Sequence, residues 1–317
     1  MKIYKSLDDF PEIQRPVVTI GTFDGVHLGH RKILERLKNI AHTIQGETVL
    51  VTFWPHPKMV LFPKDHGIKL LSTFDEKAAL LENLGIDHLI SIPFDKEFSL
   101  MESKDFIEKI LVNKIKTRKL VIGYDHRFGR GREGGFEHLQ AEQERYNFDL
   151  EEIPRKDIDN IGISSTKIRK SLESGDILKA NEFLGRPYFL QGKVIEGDKI
   201  GRTIGFPTAN IELKETNKLV PMDGAYIAQV FVDNQPYEGM LNIGVRPTVS
   251  GNKKNIEVNI LNFDANIYEK TIGIQFLSFL RPEKKFDNLN ALKTQLTRDQ
   301  KQVVAFFLKT NIRTDDK

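Results

Sequence analysis

The run Gly21-Thr22-Phe23-Asp24-Gly25-Val26-His27-Leu28-Gly29-His30 sets two histidines either side of a glycine, where an apolar segment, Val17 to Ile20, gives way to an amphipathic one. Those residue types at that junction suit phosphate chemistry. A helix beginning at about Gly29 presents unpaired N–H groups and the positive end of its dipole, both of which favour an anion at its mouth. Gly29 lets a triphosphate approach the backbone, while His27 in the approach loop and His30 in the first turn donate hydrogen bonds to it. The same residues also read as a plain surface turn or as half of a zinc site. Zinc fits less well, because the chain has no cysteine and no further His/Asp cluster at ligand spacing.

Two later segments of the first half suit the same pocket. Gly123-Tyr124-Asp125-His126-Arg127-Phe128-Gly129 follows an apolar stretch ending at Ile122, so Asp125 and Arg127 emerge at the same edge as His27. Ser164-Ser165-Thr166 opens a helical pattern, with Arg169 on the same face as Thr166, which makes either a second anion mouth or an ordinary N-cap. Gly129-Arg130-Gly131-Arg132-Glu133-Gly134 satisfies G-x-G-x-x-G, with Glu151 near the place of a ribose-binding acid. The context is wrong for a dinucleotide site, since the glycines open no helix directly after the strand, and the segment reads as an arginine-bearing loop.

In the second half, Gly197 to Asn210 holds Gly197, Lys199, Gly201 and Gly205 ahead of Thr208 and Asn210. The glycines permit a flap over phosphates. Thr208 and Asn210, two apart in an extended segment, point their oxygens the same way and suit Mg²⁺ alongside ATP, although a glycine-rich barrel turn has the same look. In Ile256-Glu257-Val258-Asn259-Ile260 the apolar residues share one strand face, with Glu257 and Asn259 on the other. Glu257 is then either an exposed strand carboxylate or a base aimed into a pocket. All eight histidines lie at or before His138, so a base in this half must be something else. No G-x-x-x-x-G-K-[ST] occurs, which excludes a P-loop kinase.

The elements that must position these residues change period near Gly185. Before it, apolar strands at Val17–Ile20, Thr48–Phe53, His88–Ile92 and Leu120–Ile122 alternate with helices over His30–Gln45, Phe74–Leu84, Lys104–Ile115 (capped by Ser103) and Lys167–Leu184. This βαβα order predicts a parallel sheet with helices on both faces and ligands beyond the carboxyl ends of the strands. The last of these helices stops at Gly185 with Pro187 beyond, placing a domain boundary between residues 184 and 185. After it, Phe189–Ile195, Tyr226–Val232, Glu257–Leu261 and Thr271–Phe279 read as strands of a small antiparallel barrel. Leu289 to Phe307 returns to a helix that packs on it.

The motifs Gly21 to His30, Thr52-Phe53-Trp54-Pro55-His56-Pro57, Gly123 to Gly129 and Ser164 to Arg169 resemble the FAD synthetase module of bacterial bifunctional riboflavin kinase/FMN adenylyltransferases. Gly185 to Asn210, Asn242 to Thr248, Glu257 and Phe279 to Phe286 resemble the riboflavin kinase module of the same family, so the likeness covers nearly the whole chain. It implies a Rossmann-like nucleotidyltransferase domain over residues 1–184 and a riboflavin kinase barrel with a C-terminal helix over residues 185–317. ATP would phosphorylate riboflavin to FMN, and a second ATP would transfer AMP to FMN, giving FAD and pyrophosphate. By the same likeness Gly21, Phe23, Asp24, His27 and His30 bind ATP, and Ser164, Thr166 and Arg169 hold the departing pyrophosphate. Asp125 and Arg127 line the flavin or nucleotide side. In the barrel Gly197, Lys199 and Gly205 close on ATP, Thr208 and Asn210 hold Mg²⁺-ATP, Glu257 takes the ribityl proton, and Arg281, Glu283 and Phe286 approach the flavin. Asn259 stands where the family commonly has histidine, and Glu269 where glycine is usual.

Composition bounds the alternatives. The 317 residues suggest two domains, and the net charge of +3 reflects a small surplus of 47 basic over 44 acidic residues, with no basic tract. Nucleic acid is not an expected partner. No apolar run approaches the roughly 18 residues of a membrane span and Met1 to Pro16 is too polar for a signal peptide, so a cytoplasmic enzyme is expected. Transient handover of flavin to apoflavoproteins is a further expectation. The rivals are an adenylyltransferase for another phosphorylated precursor, and a flavin-binding regulatory or RNA-binding protein with inactive sites.

Overall fold

The computed structural model describes residues 1–62, 67–124, 126–154, 162–248 and 251–310. The chain divides between Ser165 and Thr166 into two compact units.

The first unit is built on a parallel sheet of β1 (Lys2–Tyr4), β2 (Val17–Ile20), β3 (Thr48–Trp54), β4 (His88–Pro93), β5 (Lys119–Gly123) and β6 (Asp149–Ile153), in the order β1-β4-β3-β2-β5-β6. Its central strands β2 to β5 bury both faces, which is why they read as apolar runs. Val18, Ile20, Val49 and Val51 enter one core with Phe106, Ile110 and Leu111, whereas Val17 and Leu50 enter the other with Leu34, Leu37 and Leu81. The strand order reverses between β2 and β5, and at such a point in a parallel sheet the carboxyl ends leave a crevice for ligands. The helix α1 (Leu28–Ile44) follows β2 directly.

The helix expected from Lys104 is a short α segment, Ser103–Asp105, running into a π-helix, Phe106–Lys114. Ser103 does not cap it; Glu102 occupies the N-cap without a side-chain bond, and the Ser103 hydroxyl meets His138 Nε2 at 3.2 Å. The helix expected over Lys167–Leu184 is two, Ser165–Glu173 and Ile177–Leu184. Gly175, at φ +79°, turns the chain between them and Asp176 caps the second by accepting from Lys179 N–H.

In the second unit six strands close an antiparallel barrel: β7 (Tyr188–Ile195), β8 (Ala209–Glu212), β9 (Gly224–Val232), β10 (Gln235–Thr248), β11 (Gly251–Ile260) and β12 (Thr271–Pro282). Its last helix, Leu289–Thr310, packs Val303 and Phe307 against Ile204, Phe206, Met240 and Leu277. The Ile177–Leu184 helix is tied to the barrel by Asn181, whose side chain donates to Phe276 O at 2.8 Å and accepts from Tyr188 N–H at 2.7 Å. Division by contact therefore falls ahead of Gly185.

Candidate functional sites

At the carboxyl end of β2 the chain makes a tight loop and enters α1 at His27. His27 is the N-cap, accepting the His30 N–H on its Nδ1 at 3.3 Å. A neutral ring that accepts on Nδ1 carries its proton on Nε2. The His27 and His30 rings stack with centroids 3.7 Å apart and 15° between planes. The two histidines singled out from the sequence thus form one unit at the mouth of a helix.

The loop before them is held from several sides. The buried Asp24 carboxylate accepts from Leu71 N–H at 3.0 Å and Ser72 N–H at 3.1 Å, and Gly25 N–H donates to Ser72 Oγ at 3.1 Å. Ser165 Oγ donates to Asp24 O at 3.1 Å. Phe23 is core, and a Cβ on Gly21 would lie 2.9 Å from its ring. Phe23 and Val26 hold positive φ, at +46° and +39°, a conformation that costs energy for such residues and that surrounding contacts must enforce. Asp24, Phe23 and Gly21 accordingly shape the loop that leads to the two histidines.

Lys77 was not legible as a site residue. It is only 3% exposed, and its Nζ donates to Thr22 O at 3.2 Å and Thr52 Oγ1 at 2.9 Å, with the Trp54 and Phe74 rings 5.6 and 5.8 Å away. Burial pushes the ammonium down to about 8, against the pull of Asp24. It pins the Thr22 carbonyl in the loop ahead of α1.

Beyond β5, Arg127 is exposed and lies so close to Gly135 that a Cβ there would collide with the guanidinium at 1.8 Å. Asp125 lies outside the described residues. His126 stacks on Phe128, 5.8 Å between centroids, and burial, then the charges of Arg132 and Arg127, push it down to about 4, so it is neutral at ordinary pH. Phe128 and Gly134 exchange backbone bonds at 3.0 Å across a short 3-10 turn at Arg130–Arg132, and the next α-helix opens only at Phe136. No dinucleotide loop is built there. Ser164 and Arg169 are half-buried and Thr166 is exposed, the last two on the helix Ser165–Glu173.

The second unit holds a cavity of about 240 Å³ at the side of the barrel. Lys199, Thr208, Asn210 and Glu257 line it, as do Arg281, Glu283 and Phe286. Strand register explains the first group: Asn210 on β8 sits directly opposite Glu257 on β11, so their side chains share a face. Asn255 donates to Glu257 Oε1 at 2.6 Å, fixing the carboxylate, and Asn259 donates to Pro207 O at 2.6 Å, fixing the segment that carries Thr208. That bond gives Asn259 a positioning job at the place where histidine was expected. Glu269 adopts φ +67°, the left-handed conformation that makes glycine usual in such a turn.

Gly197 is needed by close approach, since a Cβ there would lie 2.0 Å from Nδ2 of the buried Asn210, whereas one on Gly244 would meet only the exposed Glu283 carboxylate, which can move aside. Gly205 is exposed at φ +85°, in the bend after the single turn Ile200–Thr203. The donors at Thr208 and Asn210 are neutral oxygens beside a carboxylate, a set that suits a hard cation shared with phosphates. Among the described residues no three of His, Cys, Asp and Glu gather as a metal cluster, and no helix is long and apolar enough to cross a membrane.

Comparison with known proteins also finds two parts in the chain. Residues 10–167 match the FAD synthetase family model and residues 184–307 match the riboflavin kinase model. A bifunctional riboflavin kinase/FMN adenylyltransferase of Escherichia coli K12 is 34% identical over 97% of this chain and 98% of its own length. The protein of that description from Haemophilus influenzae is 37% identical over 93% of this chain and 95% of its own. A crystal structure described as a macrolide-efflux protein from Streptococcus pneumoniae matches with a TM-score of 0.85 at 28% identity, covering 95% of this chain and 97% of that one.

Proposed function

Because the chain belongs to the bifunctional riboflavin kinase/FMN adenylyltransferase family and has both activities, we propose that they reside in separate sites, built on His27 and His30 in one unit and on Glu257 in the other. The carrying observation is that each core pair lies within a single unit: the stacked imidazoles at a helix mouth in the first, and a carboxylate opposite Asn210 in a barrel cavity in the second. Residues 1–184 are assigned to adenylyl transfer and residues 185–317 to the kinase.

In the kinase, Glu257, held by Asn255, accepts the proton of the ribityl hydroxyl as its oxygen attacks the γ-phosphorus of ATP, and ADP leaves. Thr208 and Asn210 are the residues that would hold Mg²⁺. Bound there, the ion would neutralise charge on the phosphates. Gly197, Lys199 and Gly205 belong to the flap over them, while Arg281, Glu283 and Phe286 face the flavin. In the second reaction the FMN phosphate attacks the α-phosphorus of ATP and pyrophosphate departs. No covalent enzyme intermediate is needed, only alignment and charge stabilisation. Nε2–H of His27 and the His30 ring serve the triphosphate. Ser164, Thr166 and Arg169 hold the pyrophosphate and Asp125 with Arg127 the flavin side, roles that rest on the family pattern. Cytoplasmic residence and transient delivery of flavin to apoflavoproteins complete the reading.

The test is a time course with riboflavin, ATP and Mg²⁺ and separation of the flavins. FMN should rise first and FAD follow from it. FAD appearing with no FMN able to exchange with the medium would contradict two independent sites.

A further inference from the structure

The last helix carries a carboxylate that packing alone does not require. Asp299 is 1% exposed and lines the barrel cavity. Its Oδ2 accepts from Arg281 Nε at 2.9 Å and Nη2 at 2.8 Å, and its Oδ1 accepts from Gln295 Nε2 at 2.7 Å. Arg281 comes from the end of β12, donates from Nη1 to Pro282 O at 3.1 Å, and sets its guanidinium 5.9 Å from the Phe286 ring centroid. Two donors on one oxygen, with the second oxygen occupied by Gln295, hold the guanidinium in one plane.

That arrangement has two chemical consequences. A free arginine loses several rotamers when it meets a ligand; this one is ordered beforehand, which favours binding. Its charge is also matched by Asp299, so the N–H edge left facing the cavity belongs to a neutral pair. Such an edge, beside an aromatic ring and the apolar Leu292 and Leu296 of the same helix, suits an uncharged planar heteroaromatic ring bearing carbonyl acceptors and does not favour a phosphate. We propose that Asp299 is a positioning residue for riboflavin phosphorylation, and that the Arg281–Asp299 pair reads the uncharged ring of the substrate. This rests on the assignment of Arg281 to the flavin. The C-terminal helix is then part of the kinase site and not only a cover for the barrel.

The experiment measures KM for riboflavin, KM for ATP and kcat of FMN formation in the full chain for Asp299→Asn, Arg281→Gln and the double variant. Asp299→Asn should raise KM for riboflavin about tenfold, as for loss of a charge-assisted contact, with KM for ATP within about twofold and kcat largely kept. The double variant should be no worse than Arg281→Gln, because Asp299 acts through the guanidinium. Gln295→Met, which removes the bond to Oδ1 from a half-buried position, should shift KM for riboflavin in the same direction by a smaller factor, and serves if Asp299→Asn does not fold. An unchanged riboflavin KM in Asp299→Asn beside a raised one in Arg281→Gln overturns the proposal alone. An unchanged KM in Arg281→Gln overturns the flavin assignment with it. Equal rises in both KM values, or additive effects in the double variant, would show a merely structural role and also overturn it.

Discussion

Lys77→Met is expected to flatten the alkaline pH dependence of the first unit's stability. Burial holds the folded ammonium at about 8, down from 10.5, the Asp24 charge opposing. Between those values the unfolded chain binds a proton that the folded chain has released, so the unfolding free energy rises with pH across that window. Each unit corresponds to about 1.4 kcal/mol. The penalty is therefore about 3 kcal/mol, fully present below pH 8 and relieved as pH climbs towards 10.5. Methionine keeps an apolar stem without a charge, so wild type should gain about 2 kcal/mol relative to the variant between pH 7 and pH 10. Trp54 is the single tryptophan of the chain and lies 5.6 Å from Lys77 Nζ, so its fluorescence follows urea unfolding of this unit. Parallel stability curves for the two proteins would refute the reasoning, because the ammonium would then not be desolvated.

Gly197→Ala places a methyl group where Asn210 Nδ2 now lies 2.0 Å from it. Displacement of that side chain should cut FMN formation about tenfold or more while leaving FAD formation from supplied FMN intact; a wild-type rate in the kinase assay would show that Asn210 does not need its position. A fragment from Thr166 to Lys317 should melt cooperatively and phosphorylate riboflavin. Removing the Ile177–Leu184 helix from it should lower stability by roughly 1–3 kcal/mol through the lost partners of Phe276 O and Tyr188 N–H. Equal melting of the two fragments would count against this packing role.

The loop that carries His27 and His30 to a helix mouth was legible because its residues sit in one contiguous run, and the strands around it because burial on both faces makes them uniformly apolar. Residues that act across the fold were not. Lys77 lies in an amphipathic helix and reads as a solvated position, since nothing local says that Trp54, Thr52 and Thr22 will enclose it. Asp299 likewise reads as an ordinary polar helix residue; its burial is decided by Arg281, eighteen positions away. Strand β8 is only Ala209–Glu212, too short for an alternation to show, although it carries Asn210. The split at Gly175 was marked by Ser174-Gly175-Asp176, but apolar spacing on both sides masked it. The π-helical turn over Phe106–Lys114 leaves no periodicity distinct from an α-helix in so short a span.

Complementation between two damaged enzymes tests the central claim most directly. His30→Ala should lose FAD formation by about a hundred- to a thousandfold, as for one strong transition-state contact, and still make FMN. Glu257→Gln should lose FMN formation by roughly a hundredfold or more, as for a general base, and still convert supplied FMN to FAD. Given riboflavin, ATP and Mg²⁺, neither variant alone should yield appreciable FAD, whereas an equal mixture should restore it through FMN released into solution. Loss of both activities in either folded variant, or a mixture as inactive as its parts, would contradict two independent sites in one chain.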